Sequence, residues 1–212
     1  MFTGIVQSTA QVKSIKEGKN FRHFEMQMPV ELLDNLQLGA SVANNGVCLT
    51  AVAFDALNES DGVIAFDVID ETLRLTNLGQ LEVGSEVNIE RSMKAGDEVG
   101  GHLVSGHVHC TATLVERIDS EDNCKMTFSL AEQWQKYLFA KGFIAVNGCS
   151  LTLGEVTPGQ FSLHLIPETL QRTNLTALQV NDAVNIEIDQ QTMTIVESIE
   201  RIMAERLAST NG

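Results

Sequence analysis

An internal repeat constrains the fold of this chain more than any other feature of its sequence. Residues 43–50 (ANNGVCLT) return as residues 145–152 (AVNGCSLT), 102 positions later. The same offset places residues 3–6 (TGIV) on residues 105–108 (SGHV). Because further blocks match in the same order, each half of the chain is expected to fold into the same unit.

The two copies differ in length at one place. Residues 71–73 (ETL) match residues 168–170, and residues 87–90 (VNIE) match residues 184–187, with an offset of 97. The offset has therefore fallen by five after the first blocks. A longer loop is predicted in the first copy around residues 58–62 (NESDG), which has a turn-forming composition.

Apolar residues in both copies alternate with a period of two, which indicates β-strands. The matched apolar positions are Phe24, Met26 and Met28 in the first copy, and Met126, Phe128 and Leu130 in the second. Residues 29–36 and 131–138 are each predicted to form a brief helix. Many short strands in a repeated unit of about 100 residues favour a small closed antiparallel barrel in each half.

The C-terminal segment departs from the repeat and predicts an amphipathic helix. Residues 194–207 lack Gly and Pro and repeat apolar residues at Ile195, Ile199 and Ile202. An oligomerisation helix is favoured because both barrels are complete without it, and the alternative is a helix packed on its own barrel. The expected domains are residues 1–101, residues 102–190 and, as the oligomerisation helix, residues 191–212.

Charge and composition argue against several classes of function. A formal net charge of −14, without a Lys/Arg cluster, disfavours a nucleic acid or an anionic membrane as partner. No segment has the length and apolarity of a membrane span, and the four cysteines include no C-x-x-C pair. We therefore expect a cytoplasmic protein with reduced thiols and no metal site.

The two copies diverge at residues that can carry chemistry. Cys48 in the first copy corresponds to Ser150 in the second, and Asp67 corresponds to His164. Cys48 is a candidate nucleophile because a thiol is intrinsically more nucleophilic than a hydroxyl, although a lone cysteine is often a small buried apolar residue. Cys149 lies one position out of phase, so strand alternation predicts a structural role on the opposite face.

Residues 100–110 (GGHLVSGHVHC) hold three of the five histidines. Their spacing matches no helical metal motif, so acid or base chemistry at His102 or His107 is favoured over zinc binding. A solvated loop position is expected for His109. The double glycine is not followed by Gly-Lys-Ser/Thr, which argues against a phosphate-binding loop.

Several separate motifs agree, in order, with one known family. They are residues 1–6 (MFTGIV), 45–50 (NGVCLT), 71–74 (ETLR), 101–107 (GHLVSGH) and 141–152 (KGFIAVNGCSLT). Over essentially its whole length, the chain resembles the riboflavin synthase family of lumazine-binding barrel proteins. The resemblance implies two Greek-key β-barrels in an all-β fold, joined into a homotrimer by the C-terminal helices. It also implies a productive site between the N-terminal barrel of one subunit and the C-terminal barrel of its neighbour.

The resemblance implies a transferase reaction that needs no cofactor. Two molecules of 6,7-dimethyl-8-ribityllumazine dismutate by transfer of a four-carbon unit, which gives riboflavin and 5-amino-6-ribitylamino-uracil. The alternative is a non-catalytic lumazine or flavin antenna protein of the same fold. Lumazine synthase, which encloses some trimers of this family, is a further partner that the resemblance allows.

The resemblance also assigns site residues by motif. Cys48 and His102 would be nucleophile and base in the N-terminal half. Ser150, Thr152 and Asp189 would act from the C-terminal half, with Phe2 and Ser41 shaping the site. Ligand contacts of the N-terminal half would be Gly4, Ile5, Val6, Cys48, Leu49, Thr50, Asp67, Val68, Ile69, Asp70, Glu71 and Thr72. Those of the C-terminal half would be Gly106, His107, Val108, Lys141, Ser150, Leu151, Thr152, His164, Leu165, Ile166, Pro167, Glu168 and Thr169.

Overall fold

In a computed structural model, residues 1–210 form two closed barrels of six antiparallel strands each, followed by a C-terminal helix. The strands of the first barrel are β1 (Ser8–Glu17), β2 (Phe21–Pro29), β3 (Ser41–Asn44), β4 (Val47–Ala56), β5 (Asp61–Ile69) and β6 (Glu86–Arg91). Those of the second are β7 (Cys110–Asp119), β8 (Cys124–Ser129), β9 (Phe143–Val146), β10 (Cys149–Thr157), β11 (Gln160–Leu165) and β12 (Ala183–Ile188). The α-helices are α1 (Asp70–Leu75), α2 (Glu132–Gln135), α3 (Pro167–Arg172) and α4 (Gln190–Thr210).

The two barrels have the same strand order. Around the first barrel the order is β1-β2-β5-β4-β3-β6, and around the second it is β7-β8-β11-β10-β9-β12. In each barrel the second strand pairs with the fifth rather than the third, which is a Greek-key connection. The predicted pair of Greek-key barrels is therefore confirmed.

The interior of each barrel is filled by the side chains that the alternation predicted. Phe24 and Met26 are fully buried in the first barrel, as are Met126 and Phe128 in the second. Phe128 also stacks on Phe161, with ring centroids 5.4 Å apart. A six-stranded barrel has room only for such a core, so a ligand site must lie on an outer wall or between the barrels.

Two local predictions are also confirmed. The connection between β4 and β5 is four residues long, 57–60, whereas the equivalent connection between β10 and β11 is residues 158 and 159. The predicted brief helices are a 3-10 helix at Val30–Leu33 and α2 in the second copy.

A set of buried asparagines joins the two barrels. Three come from the first copy and three from equivalent positions of the second: Asn45, Asn77 and Asn88 match Asn147, Asn174 and Asn185. The amide nitrogen of Asn77 donates to Oδ1 of Asn147 at 3.1 Å, and that of Asn174 donates to Oδ1 of Asn45 at 2.9 Å. Asn88 and Asn185 donate in the same reciprocal way to main-chain oxygens of the opposite copy. We call these six residues the asparagine hub.

The hub surrounds a pseudo-two-fold axis that relates the two copies. Gly46 and Gly148 meet there, and a Cβ on either would lie 2.7 Å from the main-chain nitrogen of the other. Both glycines have φ of +79°, which disfavours any other residue independently of the space available. The repeated Asn-Gly dipeptide is therefore required by the contact between the barrels as well as by the turn.

The segments that precede β1 and β7 pack against both barrels. Phe2 and Val104 form a two-way main-chain bridge, with hydrogen bonds of 2.8 and 3.0 Å. Val6 packs into the core of the second barrel, and Val108 packs against the core of the first. We call residues 2–6 and 104–108 the crossing segments, because one valine of each segment packs in or against the core of the opposite copy's barrel.

Helix α4 packs on the second barrel along its first half. Met193 and Val196 contact that barrel's core, and the Tyr137 hydroxyl donates a hydrogen bond to Glu197. One stripe of apolar residues on the helix is exposed: Ile195, Ile199, Ile202, Met203 and Leu207. The helix therefore packs on its own barrel through part of its length, and its role in oligomerisation stays a prediction. The last two residues of the predicted segment 191–212 lie outside the described residues, and no helix within residues 1–210 is long and apolar enough to cross a membrane.

We predict that Asn77→Ala lowers the free energy of unfolding by about 2–3 kcal/mol, because it leaves buried partners in both barrels without hydrogen bonds. Urea denaturation monitored by circular dichroism measures the change. Asn20→Ala, at an exposed turn position, is the matched control and should change the free energy by less than about 0.5 kcal/mol. Equal effects of the two substitutions would contradict a joining role for the hub.

Candidate active site

Cys48 and Ser150 occupy equivalent positions on the outer walls of their barrels. Each lies one residue before a side chain that points toward the interior, so strand alternation turns Cys48 and Ser150 outward, and both are partly exposed. The Cys48 N–H donates to the Gly106 carbonyl at 2.9 Å, and the Ser150 N–H donates to the Gly4 carbonyl at 2.8 Å. Each reactive side chain is therefore beside the crossing segment of the opposite copy.

Gly4 and Gly106 permit these close approaches. Their φ angles are +72° and +84°, a region that favours glycine. A Cβ on Gly4 would lie 2.6 Å from Cβ of Ser150, and a Cβ on Gly106 would lie 2.6 Å from Cβ of Cys48. The repeated Thr/Ser-Gly dipeptide was the sequence signal for this contact.

His102 contacts Ser150. Its Nδ1 lies 2.6 Å from Ser150 Oγ, and its ring stacks on Phe143 with centroids 5.1 Å apart and a 16° angle between planes. Gly101 makes this possible, since a Cβ there would lie 2.7 Å from Cβ of Ser150. Within one chain, His102 is therefore hydrogen-bonded to Ser150 of the second copy, whereas the resemblance grouped it with Cys48 of the first. The connection between the barrels folds back onto β9 and β10 and brings His102 to the second barrel.

Burial lowers the pKa of His102, and the nearby Asp189 carboxylate opposes that effect by raising it. The imidazole consequently remains neutral to lower pH than an exposed histidine and can accept a proton at neutral pH. Asp189 has a second role, because its Oδ2 accepts hydrogen bonds from the Thr192 N–H at 2.9 Å and hydroxyl at 2.6 Å. It therefore caps the start of α4.

A cavity of about 540 Å³ adjoins His102. Leu103, Phe143 and Asp189 line it together with His102, so it combines an apolar wall with a base and a carboxylate. Its volume is within the range of small-molecule sites. Met1, Gly101, Ser105, Gln190 and Gln191 complete the lining.

The remaining candidate residues are Ser41, Thr152 and Phe2. Ser41 pairs with Thr50 across β3 and β4, and the equivalent pair in the second barrel is Phe143 with Thr152. The aromatic ring that stacks on His102 thus replaces Ser41 of the first copy. Phe2 is fully buried between the barrels, where it packs against Val104. Phe2 therefore joins the two crossing segments on the side that is buried between the barrels.

Some predicted ligand contacts have their side chains in the barrel cores. They are Val6, Leu49, Val68 and Leu165, each less than 8% exposed. The two predicted glycine contacts, Gly4 and Gly106, are also buried. By contrast, Ile5, Ile69 and Ile166 are strongly exposed. Partly or fully exposed positions in the same prediction are Thr50, Asp70, Glu71, Thr72, His107, Val108, Leu151, Thr152, Pro167, Glu168 and Thr169.

The polar contacts differ between the copies at equivalent positions. In the first barrel, Oδ1 of Asp67 lies within hydrogen-bond distance of Nδ1 of His23, at 2.7 Å. In the second barrel, His164 lies 3.2 Å from Asn123. Lys141 has φ of +70°, a rare backbone conformation for a non-glycine residue and one more often found at functional sites.

Two other predictions have clear outcomes. Cys149 is buried in the second core, and burial raises its pKa to about 12, which confirms a structural role. The expectation of a solvated His109 was wrong, because its Nδ1 accepts the Ile188 N–H at 3.1 Å and its ring packs on Trp134. Within residues 1–210, no group of three His, Cys, Asp or Glu side chains is placed to hold a metal ion.

Sequence comparisons identify relatives over the full length of the chain. Residues 3–92 and 105–189 match the lumazine binding domain family. Riboflavin synthase of Escherichia coli K12 is 49% identical over 212 residues, covering all of this chain and 97% of that protein. Riboflavin synthase of Chlamydia pneumoniae is 43% identical over 204 residues, which are 96% of this chain and 98% of that protein. Riboflavin synthase of Schizosaccharomyces pombe is 35% identical over 214 residues and covers both proteins completely.

The fold is similar to that of LumP. The structure of LumP with riboflavin aligns with a TM-score of 0.80 at 26% identity, over 89% of this chain and 99% of that one. Its complex with 6,7-dimethyl-8-(1'-D-ribityl) lumazine aligns with a TM-score of 0.78, with the same identity and coverage.

We predict that His102 titrates below the ordinary histidine value of about 6.5 when followed by NMR. Between its folded pKa and that value the unfolded chain binds more protons, so acidification favours unfolding. The stability contribution is complete above about pH 6.5 and declines as the pH falls below it. Between pH 7.5 and 5.5 the free energy of unfolding, measured by urea denaturation, should fall less in His102→Gln than in the wild-type protein.

Gln191→Ala, which changes a side chain without a titratable group in the same cavity, is the control and should leave that loss unchanged. A titration midpoint of His102 at or above the ordinary value would contradict the prediction.

Proposed function

The chain belongs to the riboflavin synthase family of lumazine-binding proteins and is a transferase, and from this premise we propose how its barrels share the reaction. Two molecules of 6,7-dimethyl-8-ribityllumazine bind, one on the outer wall of each kind of barrel. One gives a four-carbon unit to the other, which yields riboflavin and 5-amino-6-ribitylamino-uracil. The atoms of the two products equal those of the two substrates, so no oxidant, reductant or cofactor is consumed.

One observation carries this proposal: the two copies build equivalent walls with unequal reactive groups. Cys48 and Ser150 make the same main-chain contact with a glycine of the opposite copy, at 2.9 and 2.8 Å. Only Ser150 has an imidazole beside it, at 2.6 Å. Equivalent walls suit two copies of one ligand, and unequal groups suit two different roles for it.

The chemistry of the substrate matches these groups. The conjugated ring acidifies the C7 methyl group, so a base can remove a proton from it while a nucleophile adds to the other ring. With Nδ1 unprotonated, His102 accepts the proton of the Ser150 hydroxyl and increases the nucleophilicity of its oxygen. Cys48 offers a thiol that is nucleophilic without such a partner.

The remaining contribution of the protein is to hold the two rings close together. Oriented binding converts a bimolecular step into an effectively unimolecular one and is worth about 7–11 kcal/mol in well-oriented systems. We propose that the facing walls come from different subunits, an N-terminal barrel and its neighbour's C-terminal barrel. The apolar side chains beside the cavity support this, because Phe143 is 49% and Leu103 is 44% exposed to solvent within one chain.

We further propose that the exposed stripe of α4 joins three copies of the chain. Its five apolar residues recur at helical spacing along one face, from Ile195 to Leu207. The first turns are fixed to the second barrel, so the stripe has a defined direction. Burial of such a stripe against its symmetry mates is the usual way to remove it from water.

The proposed location and second partner follow from the same family membership. We place the protein in the cytoplasm, where its four free cysteines would stay reduced. Lumazine synthase, the enzyme that makes the substrate, is the proposed physical partner of the trimer.

We expect the purified protein, incubated with the dimethyl lumazine alone, to produce riboflavin, followed by its absorbance. Cys48→Ala and His102→Ala should each lower kcat by about 100-fold or more, the usual contribution of acid–base and nucleophilic groups. Ligand dissociation constants from fluorescence titration should change far less. The control Cys110→Ala lies outside the site and should retain kcat.

Tight lumazine binding by the wild-type protein without turnover would overturn this proposal and would indicate the antenna function. Equal losses of kcat and of affinity in the two variants would assign Cys48 and His102 to the pocket wall alone.

For the oligomer, we predict that Ile199→Glu shifts the protein from trimer to monomer in analytical ultracentrifugation and lowers turnover strongly. A charge in the centre of the stripe cannot be buried without a partner. Arg201→Gln, on the opposite side of the helix, is the control and should leave the trimer intact. A fully active monomer would exclude a site shared between subunits.

A further inference from the structure

Two buried carboxylates lie beside the reactive residues and have no part in the proposed reaction. Glu90 is 5% exposed and Glu187 is 4% exposed. In the first barrel, Ala43 pairs with Cys48 on one side and with Glu90 on the other. Ala145 stands in the same way between Ser150 and Glu187 in the second. Each carboxylate is thus one strand removed from a reactive side chain.

Each carboxylate holds the crossing segment of its own copy by three hydrogen bonds. Oε1 of Glu90 accepts the Thr3 N–H at 2.6 Å and hydroxyl at 2.8 Å, and Oε2 accepts the Gly4 N–H at 3.1 Å. Glu187 accepts the Ser105 N–H at 2.6 Å, the Ser105 hydroxyl at 2.8 Å and the Gly106 N–H at 2.9 Å. Hydrogen bonds to an ionised carboxylate are stronger than those between neutral groups.

The held segments form the wall of the opposite site. Gly4, fixed by Glu90 of the first barrel, accepts the Ser150 N–H of the second. Gly106, fixed by Glu187 of the second barrel, accepts the Cys48 N–H of the first. The chain of contacts therefore leads from each carboxylate to the reactive residue of the other barrel.

We propose that Glu90 and Glu187 are positioning residues that act crosswise, Glu187 on the site of Cys48 and Glu90 on the site of Ser150 and His102. The inference rests on the proposed function only for the ligand that these sites take. It accounts for a buried acid in each copy, where an apolar residue would suffice for packing alone.

An amide cannot replace either carboxylate. The two oxygens accept from three donors, and no donor is needed in return. In glutamine one of these atoms becomes an NH₂ group, which would face either the glycine N–H or the two donors of Thr3 or Ser105. Burial raises the pKa of both carboxyl groups above the ordinary value, and the three hydrogen bonds to each partly offset that rise because they favour the charged form.

The test uses two readouts that do not depend on turnover. The first is the rate of alkylation of Cys48 by iodoacetamide, measured by mass spectrometry in the full-length protein. Burial raises the pKa to about 12 for Cys110 and Cys149, and to about 11 for Cys124, so these thiols react slowly near pH 8. The second readout is the NMR titration of His102.

Glu187→Gln should change the alkylation rate of Cys48 by about threefold or more and leave the His102 midpoint unchanged. Glu90→Gln should move the His102 midpoint and leave the Cys48 rate unchanged. Cys48→Ala and His102→Gln identify the two signals. Milder variants that remove only the hydroxyl donor, Ser105→Ala and Thr3→Val, should show the same crossed pattern with smaller effects if either glutamine variant fails to fold.

Effects confined to the site of the same barrel, equal effects on both sites, or no effect in the folded variants would each overturn the proposal. Its failure is distinguishable from that of the proposed function. A crossed pattern in a protein that makes no riboflavin would support the positioning role and reject the reaction. Riboflavin formation without the crossed pattern would do the reverse.

Discussion

The hydrogen bonds of the asparagine hub determine how the two barrels are placed, and both candidate sites depend on that placement. The six amides bond to one another and to main-chain groups across the pseudo-two-fold axis. Such buried groups cost about 1–3 kcal/mol each when left unpaired, so they favour one arrangement of the halves over alternatives that would pack equally well. Gly46 and Gly148 bring the two backbones into contact at the same place. The position of a reactive residue of one copy relative to the crossing segment of the other is therefore fixed as closely as positions within a single domain.

The chemical difference between the two sites arises from the connection between the barrels. The walls around Cys48 and Ser150 are equivalent in strand position and in main-chain contacts. His102 belongs to the segment that links the copies, which precedes the matched block that begins at Ser105. Because Gly101 lets this segment lie against Ser150, the second wall gains an imidazole and the first does not. Duplication thus supplied two similar surfaces, and the link between them supplied the difference.

The sequence was most informative where structure is decided by neighbouring residues. Alternation of apolar residues predicted the strands and the core positions such as Phe24 and Met126, and the phase of Cys149 predicted its burial. The exchange of crossing segments and the partner of His102 could not be predicted, because both depend on where the chain returns after about 50 or more residues. Glu90 and Glu187 were visible as a matched pair within the VNIE blocks. Their burial, however, was not predictable from strand alternation. Residues 87–90 of β6 are all buried, so both faces of the strand are covered at this point.

Because the barrels are filled and the reactive residues face outward, the two copies can diverge at the reactive positions while keeping the same core. Val47 and Leu49 flank Cys48 and belong to the core of the first barrel, whereas Cys48 packs against the small cluster of Phe2 and Val104. One copy can therefore exchange a thiol for a hydroxyl without placing a polar group in the barrel core, and reactivity can change separately from the packing of that core. The same separation allows related proteins to keep the shape of this wall while its reactive side chain changes.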